Sequence, residues 1–439
     1  MTEPISDRRR REVIDALRRG TVPRNGLDVL AVGLDRFVPA VDAELDSVVA
    51  GGAVFKALRG EYGSGKTFFS RWLAERAKRR GFAVAEVQIS ETETPLHRLE
   101  RVYRRVCVQL HTAEFPPSAL RPVLDAWLFT LEEDVLAGDS AREDDPAALG
   151  AAVDQLLEKR LAEVSRQAPG FAAGLRSYRA AVVRGDAAVA DGLAGWLSGQ
   201  PHVAAAVRRS AGIRGELDHF GALGFLQGLL TVLKDAGHPG LLLVLDEAET
   251  LQRARSDVRD KALNALRQLV DEVDAGRFPG LFLLVTGTPA FYDGPQGMQR
   301  LAPLAQRLAT DFSTDARFDN PRAVQIRLPG FTSAALTELG GKVRSLYAGG
   351  ADAPDRILEL VDDRYLVDLA TAVAGGLGGR VGVAPRLFLK KLVGDVLDRV
   401  DQFPDFRPRE HYALTLNAGE MTDVERNAAT ADEVELDLP

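Results

Sequence analysis

The chain has 439 residues, a length that suits about three domains of roughly 150 residues each, and its 46% apolar and 27% charged content matches a globular protein with a large core. Composition excludes wholesale disorder, collagen-like repeats and a membrane bundle. The longest apolar runs, 241–245 and 281–285, fall far below the ~20 residues of a spanning helix. The charged N-terminus lacks a signal-like apolar stretch, so a cytoplasmic location without membrane contact is expected, and a net charge of −8 argues against indiscriminate coating of nucleic acid.

In chain order, a basic run (Arg8, Arg9, Arg10, Arg11) leads into a short helix in which Val13, Ile14 and Leu17 share a face, stopped by Gly20 and Pro23. Residues 53–58 read as a buried strand. Residues 68–80 read as an amphipathic helix with Phe69, Trp72, Leu73 and Ala77 inward and Glu75 one turn from Arg79. A strand over 82–89 follows Gly81. The single cysteine, Cys107, lies among Val102, Val106 and Leu110 and reads as a small core residue; the six scattered histidines show no zinc-like spacing. From about 112 to 223 the chain is Ala-, Leu- and Arg-rich without a convincing strand, a helical insertion. The apolar runs 241–245 and 281–286 flank a helical stretch at 258–273 and read as strands of a parallel sheet covered on both faces. A fifth strand at 324–328 precedes purely helical patterns, then a tail in which eight acidic residues face only Arg409 and Arg426. The expected organisation is an N-terminal helix and loop (1–50), an α/β core (51–330) carrying the insertion, an all-helical lid (331–408) and an acidic tail (409–439).

The strongest chemical signal is Gly60-Glu-Tyr-Gly63-Ser64-Gly65-Lys66-Thr67, a complete G-x-x-x-x-G-K-[ST] between a strand and a helix, with Phe68 behind it. Glycines leave backbone N–H groups free to wrap a di- or triphosphate, and the helix aims its N-terminal partial charge at the same oxygens. Lys66 is expected to reach the β- and γ-phosphates of ATP, and Thr67 to offer a hydroxyl to Mg²⁺. The run 241–245 ends in Asp246-Glu247, where Asp246 is expected to hold Mg²⁺ and Glu247 to polarise the attacking water. The next apolar run ends in Thr286-Gly-Thr288. Thr286, ahead of Thr288, is the candidate to orient that water, against the plainer role of capping a turn. A strand inserted between the P-loop strand and the acidic one is the mark of additional-strand P-loop ATPases, and the order of motifs fits them. Adenine is expected against Val22 and Pro23, where the chain enters the first strand.

These motifs, with Ile326-Arg-Leu-Pro-Gly-Phe331-Thr and a helical lid, resemble the AAA+ ATPases of the origin-recognition and initiator-loader type. That resemblance implies a γ-phosphate-sensing arginine early in a late lid helix, for which Arg386 in Ala384-Pro385-Arg386-Leu387 is the match. It also implies an arginine finger offered to a neighbouring subunit, from Arg307 in preference to Arg300. A closer likeness lies in Arg10-Arg-Glu-Val-Ile-Asp-Ala-Leu-Arg-Arg-Gly20-Thr-Val-Pro23, Gly33-Leu-Asp-Arg-Phe37 and Gly60-Glu-Tyr-Gly. These words resemble the ATP-binding proteins of the BREX phage-defence system (BrxD-like), which implies an ATPase acting with partner proteins on DNA. The stretch after the lid is too short for a winged-helix DNA reader, so DNA contact would fall to the ATPase module, the insertion or a partner. A P-loop kinase and a nucleotide-gated scaffold with little turnover are the other readings. The large helical additions suit a protein partner better than a kinase lid, and Glu247 argues for turnover.

Overall fold

Five short segments of this mostly helical chain pair into one sheet. The computed structural model describes residues 5–138, 144–375 and 385–415, with 419, 421 and 426. Most of the acidic tail therefore lies outside the described residues. In chain order come α1 (Asp7–Arg18), α2 (Val38–Val49), β1 (Val54–Arg59), α3 (Lys66–Arg79), β2 (Ala83–Gln88) and α4 (Leu99–Gln109). The helical region that follows holds α5 (Leu120–Ala137), α6 (Pro146–Arg160), α7 (Ala162–Gln167), α8 (Pro169–Val183), α9 (Ala187–Leu197), α10 (Ala205–Ser210) and α11 (Gly221–Asp235). Then come β3 (Leu241–Asp246), α12 (Ser256–Asp274), β4 (Leu281–Gly287), α13 (Pro289–Asp293), α14 (Ala302–Arg307) and β5 (Gln325–Arg327). Among the described residues, helices α15 (Ser333–Ala348), α16 (Pro354–Leu360), α17 (Asp363–Gly375), α18 (Pro385–Lys390), α19 (Asp398–Gln402) and α20 (Pro408–His411) follow, with a π-helical stretch, Lys391–Leu397, joining α18 to α19.

The sheet runs in the order β2-β3-β4-β1-β5, so β4 separates the P-loop strand from the acidic strand. Parallel register pairs Gln88 with Asp246 and Leu245 with Val285, which lines up the C-terminal ends of β2, β3 and β4. Leu241 to Leu245 and Leu281 to Val285 are buried on both faces, the physical reason for their unbroken apolar sequence.

Two compact units divide the chain, with boundaries inside β1 and α3. One comprises residues up to Val41, Leu58–Glu75 and everything from Asp311 onward; the other comprises Asp42–Ala57 and Arg76–Thr310. In the first, Val13, Ile14 and Leu17 of α1 join Leu336, Leu366 and Phe388 of the later helices in one core, with Phe68 and Phe331 packed against it. Arg18 donates to Asp398 through Nε at 2.6 Å and a terminal nitrogen at 2.8 Å, and the Tyr347 hydroxyl donates to the same carboxylate at 2.7 Å. In the second, Phe225 of α11 stacks edge-on with Tyr103, Phe171 and Trp196 at 5.0–5.7 Å between ring centroids. Gly228 is required there because a Cβ would collide with the Phe171 ring. Cys107 is buried, and burial pushes its thiol up to about 12, the state of an inert core residue.

Candidate nucleotide site

The loop after β1 is shaped by its glycines. Gly63 (φ +80°) and Gly65 (φ +94°) occupy left-handed backbone where a side chain costs about 1–2 kcal/mol. At Gly60 a Cβ would strike the Ser64 hydroxyl and come within 3.4 Å of the Leu328 carbonyl. α3 starts at Lys66, two residues before the apolar periodicity becomes readable, so the helix N-terminus lies inside the glycine motif. Lys66 is buried and folds its ammonium onto the loop itself, donating to the Gly60 carbonyl at 2.9 Å and that of Glu61 at 3.3 Å, with the Tyr62 ring centroid 5.1 Å away. The Ser64 hydroxyl is buried without a hydrogen-bond partner. Thr67 and Phe68 are half-buried in the first turn of α3.

The N-terminal loop is laced to the same helix. Arg71 donates to the Val22 carbonyl at 2.5 Å, and the Glu75 carboxylate, expected to face Arg79, accepts the N–H groups of Gly26 at 2.9 Å and Leu27 at 2.8 Å. Pro23 is buried and Val22 half-buried. Arg386, the second residue of α18, lies beside the end of α1: a Cβ on Gly20 would stand 3.2 Å from its guanidinium.

In the other unit, three adjacent strand ends carry a connected set of polar groups. Thr286 is fully buried and its hydroxyl donates to Asp246 Oδ1; the Glu247 N–H donates to that oxygen at 3.1 Å and to Thr286 Oγ1 at 3.2 Å. Glu247 has φ +59°, a left-handed conformation that costs a non-glycine residue about 1–3 kcal/mol. Gln88, at the end of β2, donates its side-chain amide to Glu247 Oε2 at 2.8 Å. Thr288, just past the end of β4, is buried at the N-cap of α13.

The two finger candidates are engaged within the chain. Arg307 ends α14 and pairs with Asp271 at 2.6 Å and Asp274 at 3.0 Å on α12, while Arg300 pairs with Asp260 at 2.7 Å.

The family described as BREX system ATP-binding protein BrxC/D matches residues 5–416. The chain belongs to that family. No curated protein matches it. Among solved structures, the ORC2 protein of Aeropyrum pernix, in ADPNP and ADP complexes, aligns over 92% of this chain and 80% of its own at 13% identity and a TM-score of 0.35. Among the described residues, no helix of this BREX family member is long and apolar enough to cross a membrane. Gln88 is not singled out from the sequence, where it falls inside the strand expected over 82–89. Its signal was positional: it ends β2 as Asp246 ends β3.

Proposed function

We propose that this BREX-family protein is a Mg²⁺-dependent ATPase of AAA+ type, a switch or motor whose turnover changes the assembly of defence-complex partners or their engagement with DNA. One observation carries the reading: a glycine loop with two left-handed positions, closed by a lysine that occupies the loop's own carbonyls. Gly60, Gly63, Ser64 and Gly65 offer backbone and hydroxyl donors to the phosphates, Lys66 exchanges its carbonyl partners for the β- and γ-phosphate oxygens, and Phe68 supports the helix start. Val22 and Pro23 flank the adenine, and Arg386 reads the γ-phosphate.

Thr67 and Asp246 supply hard oxygen donors of the type Mg²⁺ prefers. The rest of the shell comes from phosphate and water, as Mg²⁺ sites with nucleotides are built. Bound Mg²⁺ neutralises charge developing on the transferring phosphoryl group. Glu247 accepts hydrogen bonds from the attacking water and takes up its proton, and Thr286 fixes Asp246 and the Glu247 backbone. A finger from Arg307 in a homo-oligomer requires it to leave both Asp271 and Asp274.

Phosphate release from ATP, measured with Mg²⁺, after chelation and after Mg²⁺ is restored, tests the reading; turnover should vanish and return. ATP binding with no turnover under any of these conditions would make the protein a nucleotide-gated scaffold. Mixing Arg307→Ala with Lys66→Ala subunits tests the finger, since one intact finger facing one intact P-loop restores activity and the absence of rescue removes Arg307 from the mechanism.

A further inference from the structure

The unit formed by Asp42–Ala57 and Arg76–Thr310 also holds a cavity of about 590 Å³ lined by none of the strand-end residues. Its floor is the polar face of α12, where steps of three and four residues align Asp257, Lys261, Asn264 and Gln268 while Leu263, Leu266 and Val270 are buried. His97, just before α4, and His219, just before α11, complete the wall.

Two imidazoles stand at this cavity. The Leu99 N–H donates to Nδ1 of His219 at 3.3 Å, which leaves the neutral ring's proton on Nε2 as a donor. Nδ1 of His97 is buried without a hydrogen-bond partner, which leaves Nε2 as the ring nitrogen through which this residue can meet a ligand. Charge favours an anion. Of the carboxylates on the floor, Asp260 is taken by Arg300 at 2.7 Å and Asp257 lies 3.9 Å from Arg255. Lys261 and Arg98 are exposed and form no ion pair among the described residues. Burial first, then the charges of Arg98 and Lys261, hold the His97 imidazolium below its ordinary range against the opposing pull of Glu100, so both cations lie close enough to act on that ring. Next to His219 stands Phe220, 87% exposed, its ring centroid 5.4 Å from the imidazole and nearly perpendicular to it.

We propose that this cavity binds a nucleotide unit, a nucleobase carrying a phosphate. Lys261, Arg98 and the imidazoles hold the phosphate, Gln268 and the Oδ1 of Asn264, whose Nδ2 donates one hydrogen to the Asp260 carbonyl at 2.8 Å, meet the base edge, and Phe220 stacks on the base. A bare anion has no use for the two amides or the exposed ring, and the volume lies in the range of about 300–1,000 Å³ typical of small-ligand sites. The same chemistry comes either from a free mononucleotide or from an unstacked residue of a single strand.

The test uses the full chain with its P-loop saturated by ADP. Anisotropy of a fluorescein-labelled mixed-sequence single-stranded DNA, and calorimetry with nucleoside monophosphates and with inorganic phosphate, are compared for wild type, Phe220→Ala and Lys261→Ala. Both substitutions are at exposed positions, and unchanged ATP turnover serves as the folding control. Phe220→Ala should weaken the bound probe roughly 5- to 100-fold by loss of stacking. Lys261→Ala should also lower the slope of log affinity against log salt by about one for the DNA. Losses confined to DNA assign the unit to a single strand, and losses confined to monophosphates assign it to a free nucleotide. Binding of no probe, binding unchanged in both variants, or inorganic phosphate binding as well as monophosphates regardless of Phe220 would each overturn the proposal.

Discussion

The P-loop and the acidic strand ends reach order by opposite means. The loop is built from consecutive residues and held by backbone conformation: two left-handed glycines and a lysine folded onto neighbouring carbonyls. The strand-end cluster gathers side chains from β2, β3 and β4 and is held by hydrogen bonds among Gln88, Asp246, Glu247 and Thr286. A backbone cradle fails when its geometry or its one cation is lost, whereas a side-chain network loses function in graded steps. Binding and turnover should therefore separate cleanly between the two regions.

The largest separation should come from Glu247→Gln, which keeps the side chain's size and the ATP affinity but removes the base; turnover should fall about 10²- to 10⁴-fold in a steady-state assay. Wild-type turnover in that variant would remove Glu247 from the chemistry. Lys66→Ala strikes the other region: loss of a charge-assisted contact worth about 1.5–3 kcal/mol should weaken ATP roughly 10- to 150-fold by calorimetry. Equal loss of affinity in both variants would erase the distinction. A smaller effect is expected from Gln88→Ala, which frees the Glu247 carboxylate from one neutral hydrogen bond. Turnover should change by a factor of roughly 2 to 10 with nucleotide affinity constant. The smallest effect lies outside both regions. Hydrogen bonds from Arg76, then Arg80, hold Asp42 at about 2, so its contribution to stability is present above its ordinary range near pH 4 and is lost as pH falls toward 2. Asp42→Asn should flatten the acid side of a denaturation profile and leave ATP turnover unchanged at neutral pH.

The same contrast explains what could be read before the fold was known. The glycine loop was legible because its meaning lies in adjacent residues, and Asp246-Glu247 because a buried strand announces its own end. Gln88 became a site residue only through the parallel register that sets it opposite Asp246, which no local pattern encodes. The acids that clasp Arg307 stand on α12, more than thirty positions earlier in the chain, and ordinary helix-surface spacing hid them. The fifth strand spans Gln325–Arg327, inside the expected 324–328, and the Leu328 N–H still donates to the Arg59 carbonyl at 2.8 Å. The left-handed turn at Glu247 had no sequence signal, since glutamate rarely adopts it.

The π-helical stretch Lys391–Leu397 bears on Arg386, five residues upstream. A π turn is a helix wound with one residue too many, and it can be passed along the axis or unwound without breaking the rod. Expelling that surplus residue would rotate everything N-terminal to it by about 100° and slide it about 1.5 Å. Below the stretch, Arg18 and Tyr347 pin Asp398 like a clamp on a shaft, so such winding would be taken up above it, by α18 and the arginine at its head. Leu387 and Phe388, fully buried in the core, hold α18 against such a turn, so the bearing of that guanidinium is fixed by the pitch together with this packing.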